Sequence, residues 1–439
     1  MLNINALYQV LQDSQKIPNI NVIERRKYIN FLKSNIDAKP IKVISGFRRS
    51  GKSYLLKQLV LFLKEHKSIN GKNIFFINFE HDLLFNNRKL EDLRKLFELF
   101  KENIWEKGKI YIFLDEIQLI EGWESFVRTL YEAGQENYDI YITGSNSSLL
   151  SSEFSSALSG RDINMTVYPF SLKEFLNFNK LNIISEGDFY ENKILIKKLF
   201  HEYFLHGGIV ESFSLNKEFK KNYFESLFRK VLLDDIIKRF NVRDINVIEN
   251  LYRFIISDIA SVLSPKNLQN SLIRNQYKLS VPTLYTYINY LVESFALFEM
   301  KKFDWKLHSI FDKNSKYFLI DNGLISALSI NRRDIEEKLL ENLIFMHLKR
   351  QGLEIYYGRD DKGKEIDFLV KKANKFTKIQ VTLELNDLNY ARELNNFVLA
   401  EKHNIKGENI ILTMDDNEEE ILYKNIKIQK KNVLKWMLF

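Results

Sequence analysis

The stretch "IKVISGFRRSGKSYLL", residues 41–56, decides the fold. From Gly46 to Ser53 it fits the pattern G-x-x-x-x-G-K-[ST] without a gap. The five residues before it, Ile41 to Ser45, are β-branched and apolar enough to form a buried strand, and residues 53–66 carry helical periodicity. A strand, a glycine-rich loop and a helix give the geometry that a phosphate chain needs. Backbone N–H groups of the loop and of the first helical turn point at the anion. The candidate nucleotide-binding residues are therefore Gly46, Phe47, Arg48, Arg49, Ser50, Gly51, Lys52, Ser53 and Tyr54. Lys52 reaches the β- and γ-phosphates, and the Ser53 hydroxyl is a ligand for Mg²⁺. Arg48 and Arg49 either help neutralise phosphate or pair with the domain's own carboxylates.

A phosphate loop of this kind needs a second element that holds magnesium and prepares water. "KIYIFLDEIQ", residues 109–118, is a continuous apolar run that ends in two acids, as a central parallel strand should. Asp115 is the expected magnesium-side carboxylate and Glu116 the group that polarises the attacking water. The alternative is an acidic pair that merely begins the next loop. Two further runs, residues 73–80 and 139–148, make four strands in all, separated by helical patterns. That order predicts an α/β sheet with right-handed crossovers and ligands at the strands' C-terminal ends. The last of these strands turns polar at Ser145 and Asn146, the candidates for sensing a γ-phosphate. Arg161, one segment later, is a candidate arginine finger acting on a neighbouring subunit, or else a member of a local ion pair.

Composition sets the outer limits. The chain has 439 residues, enough for two to four domains, and 45% of them are hydrophobic. Five prolines and 16 glycines are too few for long disordered linkers. A net charge of +8 permits contact with nucleic acid without requiring it. The absence of cysteine excludes disulfides and thiolate metal sites. The N-terminal residues have no basic n-region or long apolar core, and no run approaches a membrane span, so a cytoplasmic protein with no membrane contact is expected.

Residues 170–260 are helical in pattern, with Gly207-Gly208 as a helix stop. Residues 265–303 read helix, turn, helix, strand, with Ser280 capping the second helix and Pro282 in its first turn. This is a winged-helix-like order. The second helix has no Lys or Arg, so Thr283, Thr286 and Asn289 would have to read bases while Arg274, Lys278, Lys301 and Lys302 supply charge. The alternative is a packing module.

The C-terminal block runs helix (334–352), three strands, helix, strand. An acid on the helix, Glu341, an Asp on the second strand, Asp367, and Gln380 on the third stand almost as the metal site of a restriction-type nuclease. Such a site requires two or three carboxylates around Mg²⁺ and a Lys near the attacking water. Here the third strand offers a neutral Gln380 and, two residues on, Thr382. Lys378 and Glu384 share that face one pleat away on either side. The expectation is a former nuclease, with an active enzyme and an unrelated hairpin as alternatives.

The blocks "VIERRKYINFL" (22–32), "VISGFRRSGKSYLL" (43–56), "FLDEIQLIEGWESFV" (113–127), "ITGSNSSLLSSE" (142–153), "LSGRDINMTVYPFSLKEFL" (158–176) and "FLHGGIVES" (204–212) occur in that order. Together they resemble a widespread prokaryotic family of AAA+-like ATPases with a nuclease-like C-terminal domain of unknown function. The resemblance implies an AAA+-type core, ATP as the nucleotide, and the roles given above to Lys52, Ser53, Asp115 and Glu116. In related chains that keep the nuclease pattern, the third strand of the C-terminal block ends in Glu-x-Lys, and this chain departs from it at both positions. The expected fold class is thus a multidomain α/β protein. An AAA+-type P-loop ATPase core (1–170) is followed by a helical lid or bridge (171–230). A winged-helix-like domain (231–310) and a degenerate restriction-endonuclease-like domain (311–439) complete it. Three functions follow: an ATPase coupling nucleotide state to DNA, a nucleotide-dependent switch for a protein partner, or an ATP-dependent nuclease. Homo-oligomerisation is common among such ATPases.

Overall fold

The computed structural model describes residues 4–16, 23–84, 88–134, 136–145, 160–274, 277, 279–303, 314–330, 334–360, 362–372 and 375–439. The chain divides into two compact units, Met1–Tyr168 and Pro169–Phe439.

The first unit is built on a parallel sheet of five strands: β1 (Ile41–Ser45), β2 (Ile74–Asn78), β3 (Ile110–Asp115), β4 (Tyr138–Gly144) and β5 (Asp162–Thr166). Their spatial order is β2-β3-β4-β1-β5. β1 and β3 are buried along their whole length, which explains their unbroken apolar sequences. Alternate side chains enter opposite layers. Phe75, Ile77, Ile112, Leu114 and Ile142 pack into one core with Leu93, Phe97 and Phe126. Ile44, Phe76, Phe113 and Tyr141 face the other, against Leu55, Leu59 and Leu63 of the helix Lys52–His66.

β5 is an addition to the four expected strands. Among the described residues it is an edge strand paired with β1 alone, and only Met165 in it is buried. Asp162 and Asn164 leave no apolar run for a sequence pattern to catch.

The second unit holds a nine-stranded sheet with helices over residues 172–293 leading into it. Its strands are β6 (Val262–Leu263), β7 (Leu297–Phe303), β8 (Ser315–Leu319), β9 (Glu354–Arg359), β10 (Glu365–Lys372), β11 (Lys375–Val381), β12 (Gly407–Thr413), β13 (Glu419–Tyr423) and β14 (Ile426–Asn432). The order is β13-β14-β12-β11-β10-β9-β7-β8-β6. β7, the strand after the helix pair Pro265–Arg274 and Val281–Glu293, runs antiparallel to β8 and parallel to β9. The wing-like strand is therefore part of the same sheet as the C-terminal strands. Ser280 caps its helix by accepting from Thr283 N–H at 3.2 Å, and the helix Lys193–His206 ends at Gly207 with φ +71°. Both are as the sequence predicts.

The helix Val281–Glu293 buries Leu284, Tyr287, Ile288 and Leu291 and exposes Pro282, Thr286 and Asn289. Its outer face is neutral. Lys278 lies outside the described residues.

Candidate nucleotide site and a second, carboxylate-lined cleft

The P-loop follows β1 directly. Gly46 has φ +149°, and a Cβ there would meet Val167 O at 2.2 Å, so only glycine fits the close approach of loop and β5 exit. Gly51 is left-handed (φ +96°) and starts the helix Lys52–His66. Lys52 is buried, and its ammonium donates to Gly46 O (3.0 Å) and Phe47 O (3.2 Å) and lies 3.3 Å from Glu116 Oε1. Phe47 and Ser50 are buried, whereas Tyr54 is half exposed with the Lys57 ammonium 5.8 Å from its ring.

β3 delivers its two acids to the same place. Asp115 is fully buried, and Oδ1 accepts from the Thr143 hydroxyl at 2.6 Å. Its Oδ2 is buried and takes no hydrogen bond, as is the Ser50 hydroxyl oxygen. A buried carboxylate oxygen without a donor, beside the Ser53 hydroxyl, fits the oxygen-ligand chemistry of Mg²⁺. Burial and the neighbouring Glu116 push Asp115 up to about 6, against the pull of the Thr143 and Ser53 hydroxyls.

Glu116 behaves differently. Burial pushes its carboxyl up, but Lys52, Gln118 and Arg48 outweigh it, so Glu116 lies below its usual range and is ionised at neutral pH. Its backbone is left-handed (φ +57°), a conformation that costs free energy in a non-glycine residue. Thr143 Oγ1 holds it there by accepting from Glu116 N–H at 2.9 Å. Gln118 Nε2 donates to Glu116 Oε2 (2.6 Å) and to Ser145 Oγ (3.3 Å). The β4 residue Ser145 is thus linked to Glu116 through one amide. Asn146 lies outside the described residues.

Arg48 pairs with Glu80 at 2.9 Å. Arg25 also supports the loop; it lies in the block 22–32 singled out in sequence, which gave it no role. It is 3% exposed, stacks on Tyr28, and donates to Ser50 O (2.7 Å) and Tyr168 O (2.8 Å). Arg161 stands away from this cluster. Its carbonyl accepts from Ile41 N–H at the start of β1, the opposite end of the sheet from the P-loop. Its guanidinium lies 3.9 Å from Glu132 and 5.6 Å from the Tyr131 ring.

The raised carboxyl of Asp115 has a measurable consequence. In the native chain it stays protonated up to about pH 6, whereas an unfolded Asp releases its proton near its ordinary value of 3.8. The native state therefore binds more protons between those values, and stability falls as pH rises through that window. In nucleotide-free, magnesium-free buffer, Asp115→Asn should match the wild type near pH 4. Above pH 6 it should be the more stable by on the order of 2 kcal/mol. Urea melts at a series of pH values test this. A stability difference that does not change with pH would overturn it.

The second unit has its own cleft, a cavity of about 390 Å³ lined by Glu341, Glu365, Asp367, Gln380, Thr382 and Glu393 among others. The three residues singled out in sequence, Glu341, Asp367 and Gln380, are all there. Glu341 projects from the helix Ile335–Arg350. A register shift in β10 between Ile366 and Leu369 re-aims the strand at Asp367. Asp367 Oδ2 accepts from Val381 N–H (2.8 Å), and Gln380 Nε2 donates to Glu393 Oε2 (2.8 Å). Lys378 serves elsewhere, bonding Glu401 (2.5 Å) and Ile405 O (2.6 Å), and Glu384 is exposed outside the cleft. Glu365, Glu393, Glu337, Lys362, Lys364 and Arg392 also line the cleft, and Lys316 reaches its acids from β8. Lys316 Nζ lies 3.1 Å from Glu341 and 2.6 Å from Glu365, with a side chain 3% exposed. Burial, reinforced by Glu341, pushes Asp367 well above the usual carboxylate range. Among the described residues, no three His, Asp or Glu side chains are arranged to hold a metal ion. The residues present do not fit the metal site of a nuclease.

Among the described residues, no helix is long and apolar enough to cross a membrane.

Comparison with known proteins agrees with the first unit. Residues 38–176 match the model of an AAA domain. Residues 197–335 and 336–430 match two domains of unknown function, DUF8612 and DUF4143. An uncharacterized protein of Haemophilus influenzae is 33% identical over 365 residues, covering 83% of this chain and 88% of that protein. The uncharacterized protein MJ1544 of Methanocaldococcus jannaschii is 32% identical over 421 residues, covering 93% and 90%. Among solved structures, the Walker-type ATPase of Pyrococcus abyssi aligns with 71% of this chain and 97% of its own, at 17% identity and a TM-score of 0.41. The Aeropyrum pernix Orc1 protein, solved in complex with DNA, aligns with 76% and 95%, at 12% identity and a TM-score of 0.34.

Proposed function

We infer the function from one premise: the chain belongs to the same family as these Haemophilus and Methanocaldococcus proteins, and its first unit carries an AAA domain. We propose that it is an ATPase that binds ATP with Mg²⁺ at the P-loop and couples nucleotide state to DNA bound by the second unit. The observation that carries the ATPase reading is the meeting of Lys52, Asp115 and Glu116 at the ends of β1 and β3.

In this reading the loop N–H groups and Lys52 hold the phosphates, and Ser53 and Asp115 hold the metal. Mg²⁺, when bound, offsets the charge that develops on the transferring phosphoryl group. Glu116, ionised and fixed by Thr143 and Gln118, orients the attacking water and accepts its proton. Ser145, tied to Gln118, and Asn146 after it are the candidate γ-phosphate sensors. Arg161 would act only across a subunit interface of a homo-oligomer.

For the second unit we propose the lid, winged-helix-like and restriction-endonuclease-like divisions set out from the sequence, with the last a former nuclease. The convergence of Glu341, Asp367 and Gln380 on one cleft supports descent from a nuclease. The neutral Gln380 and Thr382 in place of Glu and Lys argue against cleavage. A protein-partner switch is favoured by a different feature: Ile184, Tyr190, Ile194 and Leu195 are 72%, 58%, 89% and 46% exposed within one short stretch.

Steady-state ATP turnover with and without duplex DNA, across a salt series, separates the two. DNA coupling predicts a several-fold stimulation that fades as salt rises, because phosphate contacts release counterions. No stimulation at any salt would overturn it in favour of the protein-partner reading.

A further inference from the structure

In the cleft of the second unit, one oxygen of each would-be carboxylate ligand, and the single oxygen of Gln380, is already engaged within the chain. Glu341 Oε2 is 3.1 Å from the Lys316 ammonium, and Glu365 Oε1 is 2.6 Å from it. Asp367 Oδ2 accepts from Val381 N–H at 2.8 Å. The one oxygen that Gln380 can offer a metal, Oε1, accepts from Asp367 N–H at 3.4 Å, and its Nε2 is turned to Glu393. Lys316 reaches this point from β8, a strand outside the helix-and-hairpin set that carries the acids. It passes the Tyr357 ring at 6.0 Å, with its side chain almost wholly buried. A buried ammonium persists only where carboxylates surround it.

We propose that Lys316 is a tethered cation that takes the place of the catalytic metal, so that the cleft excludes divalent ions and the second unit keeps its fold and its binding without them. This rests on the former-nuclease reading above. A divalent ion brought beside the ammonium would meet an unscreened like charge, and it would have to displace Lys316 from both carboxylates to gain its oxygen ligands. Removing the ammonium reverses both terms. Glu341, Glu365 and Asp367 then lose the ammonium between them, Glu365 keeping Arg359 at 3.8 Å, and leave a space that a cation can fill.

The test is calorimetric titration of Mn²⁺ into the nucleotide-free, full-length chain, comparing the wild type with Lys316→Ala, Lys316→Gln and the pair Lys316→Ala/Glu341→Gln. Any background at the P-loop is common to all four and cancels. Lys316→Ala should gain one saturable site that binds at least about tenfold more tightly than anything in the wild type. The added Glu341→Gln should remove that gain. Lys316→Gln, which keeps a hydrogen-bonding side chain in the cavity, should gain a weaker site and serves if the alanine variant does not fold. Two results would sink the proposal: a folded Lys316 variant that binds no more Mn²⁺ than the wild type, or a gain in Lys316→Ala that the added Glu341→Gln leaves in place. Cleavage of duplex DNA by the wild type in Mn²⁺, measured alongside, reports on the former-nuclease reading separately. Cleavage overturns that reading, whereas no cleavage with no gained site overturns only the role of Lys316.

Discussion

Glu116→Gln is expected to turn over ATP at least about a hundredfold more slowly than the wild type while binding it as tightly. The substitution keeps the size of the side chain and its hydrogen bond with Gln118, but removes the charge that can orient water and take a proton. Among the described residues the site offers no substitute. Asp115 is the nearest carboxyl, but burial and the Glu116 charge itself raise it to about 6, and its Oδ1 is held by Thr143. Lys52 loses a partner at 3.3 Å when the charge goes, and keeps two loop carbonyls. Its ammonium therefore remains where phosphate binds. Lys52→Ala gives the opposite signature, with affinity itself lost. Equilibrium binding of a fluorescent ATP analogue, paired with single-turnover hydrolysis, reads both quantities. Wild-type turnover by Glu116→Gln would remove Glu116 from its assigned role. Parallel loss of binding would mean that the carboxylate holds the loop's shape rather than the water.

The parts of this site that could be read from sequence are those that one segment specifies alone. Gly46 to Ser53 declares itself because a strand, a tight loop and a helix are consecutive. Asp115 and Glu116 do so because they end an apolar strand. The supporting groups come from elsewhere in the chain. Thr143 reaches Asp115 from β4, Arg25 reaches Ser50 from before the first strand, and Lys316 reaches Glu341 from a strand outside the acid-bearing hairpin. No local period encodes such contacts. The missed strands have a related cause. β5 is a polar edge. β13 and β14 are joined by Lys424 and Asn425, both at positive φ, a two-residue turn usually signalled by Asn-Gly. Arg161 was singled out by its distance in sequence from β4, but the parallel pairing of β5 with β1 carries it to the far end of the sheet.

The largest stability effect is expected one residue into β1, at a pair that no catalytic reading requires. Lys42 and Asp139 are both 0% exposed, with the ammonium 2.5 Å from Asp139 Oδ1 and from Ala38 O. The other carboxylate oxygen accepts from the Tyr141 hydroxyl (3.0 Å) and Asp37 N–H (2.9 Å). Burial of this kind is offset only while every partner is present. Asp139→Asn keeps an acceptor for Tyr141 but leaves the lysine without a counter-charge, and should cost about 3–5 kcal/mol. Lys42→Met/Asp139→Asn, which removes both charges, should recover most of it. The pH dependence distinguishes this cause from a packing defect. Burial already holds Lys42 below its usual range, so the unfolded chain binds the extra proton and stability rises with pH toward the alkaline side. Without Asp139 the native lysine is driven lower still, and the window in which stability climbs with pH must widen toward neutrality. The single variant should therefore be weakest at and below neutral pH and approach the double variant as the lysine deprotonates. Chemical denaturation from pH 6 to 10 would sink this account if the gap between single and double variants stayed constant. The pair sits where Lys42 and Tyr141 face each other across β1 and β4, so loosening it also loosens the strand from which the P-loop departs. ATP affinity should fall in the single variant and return in the double.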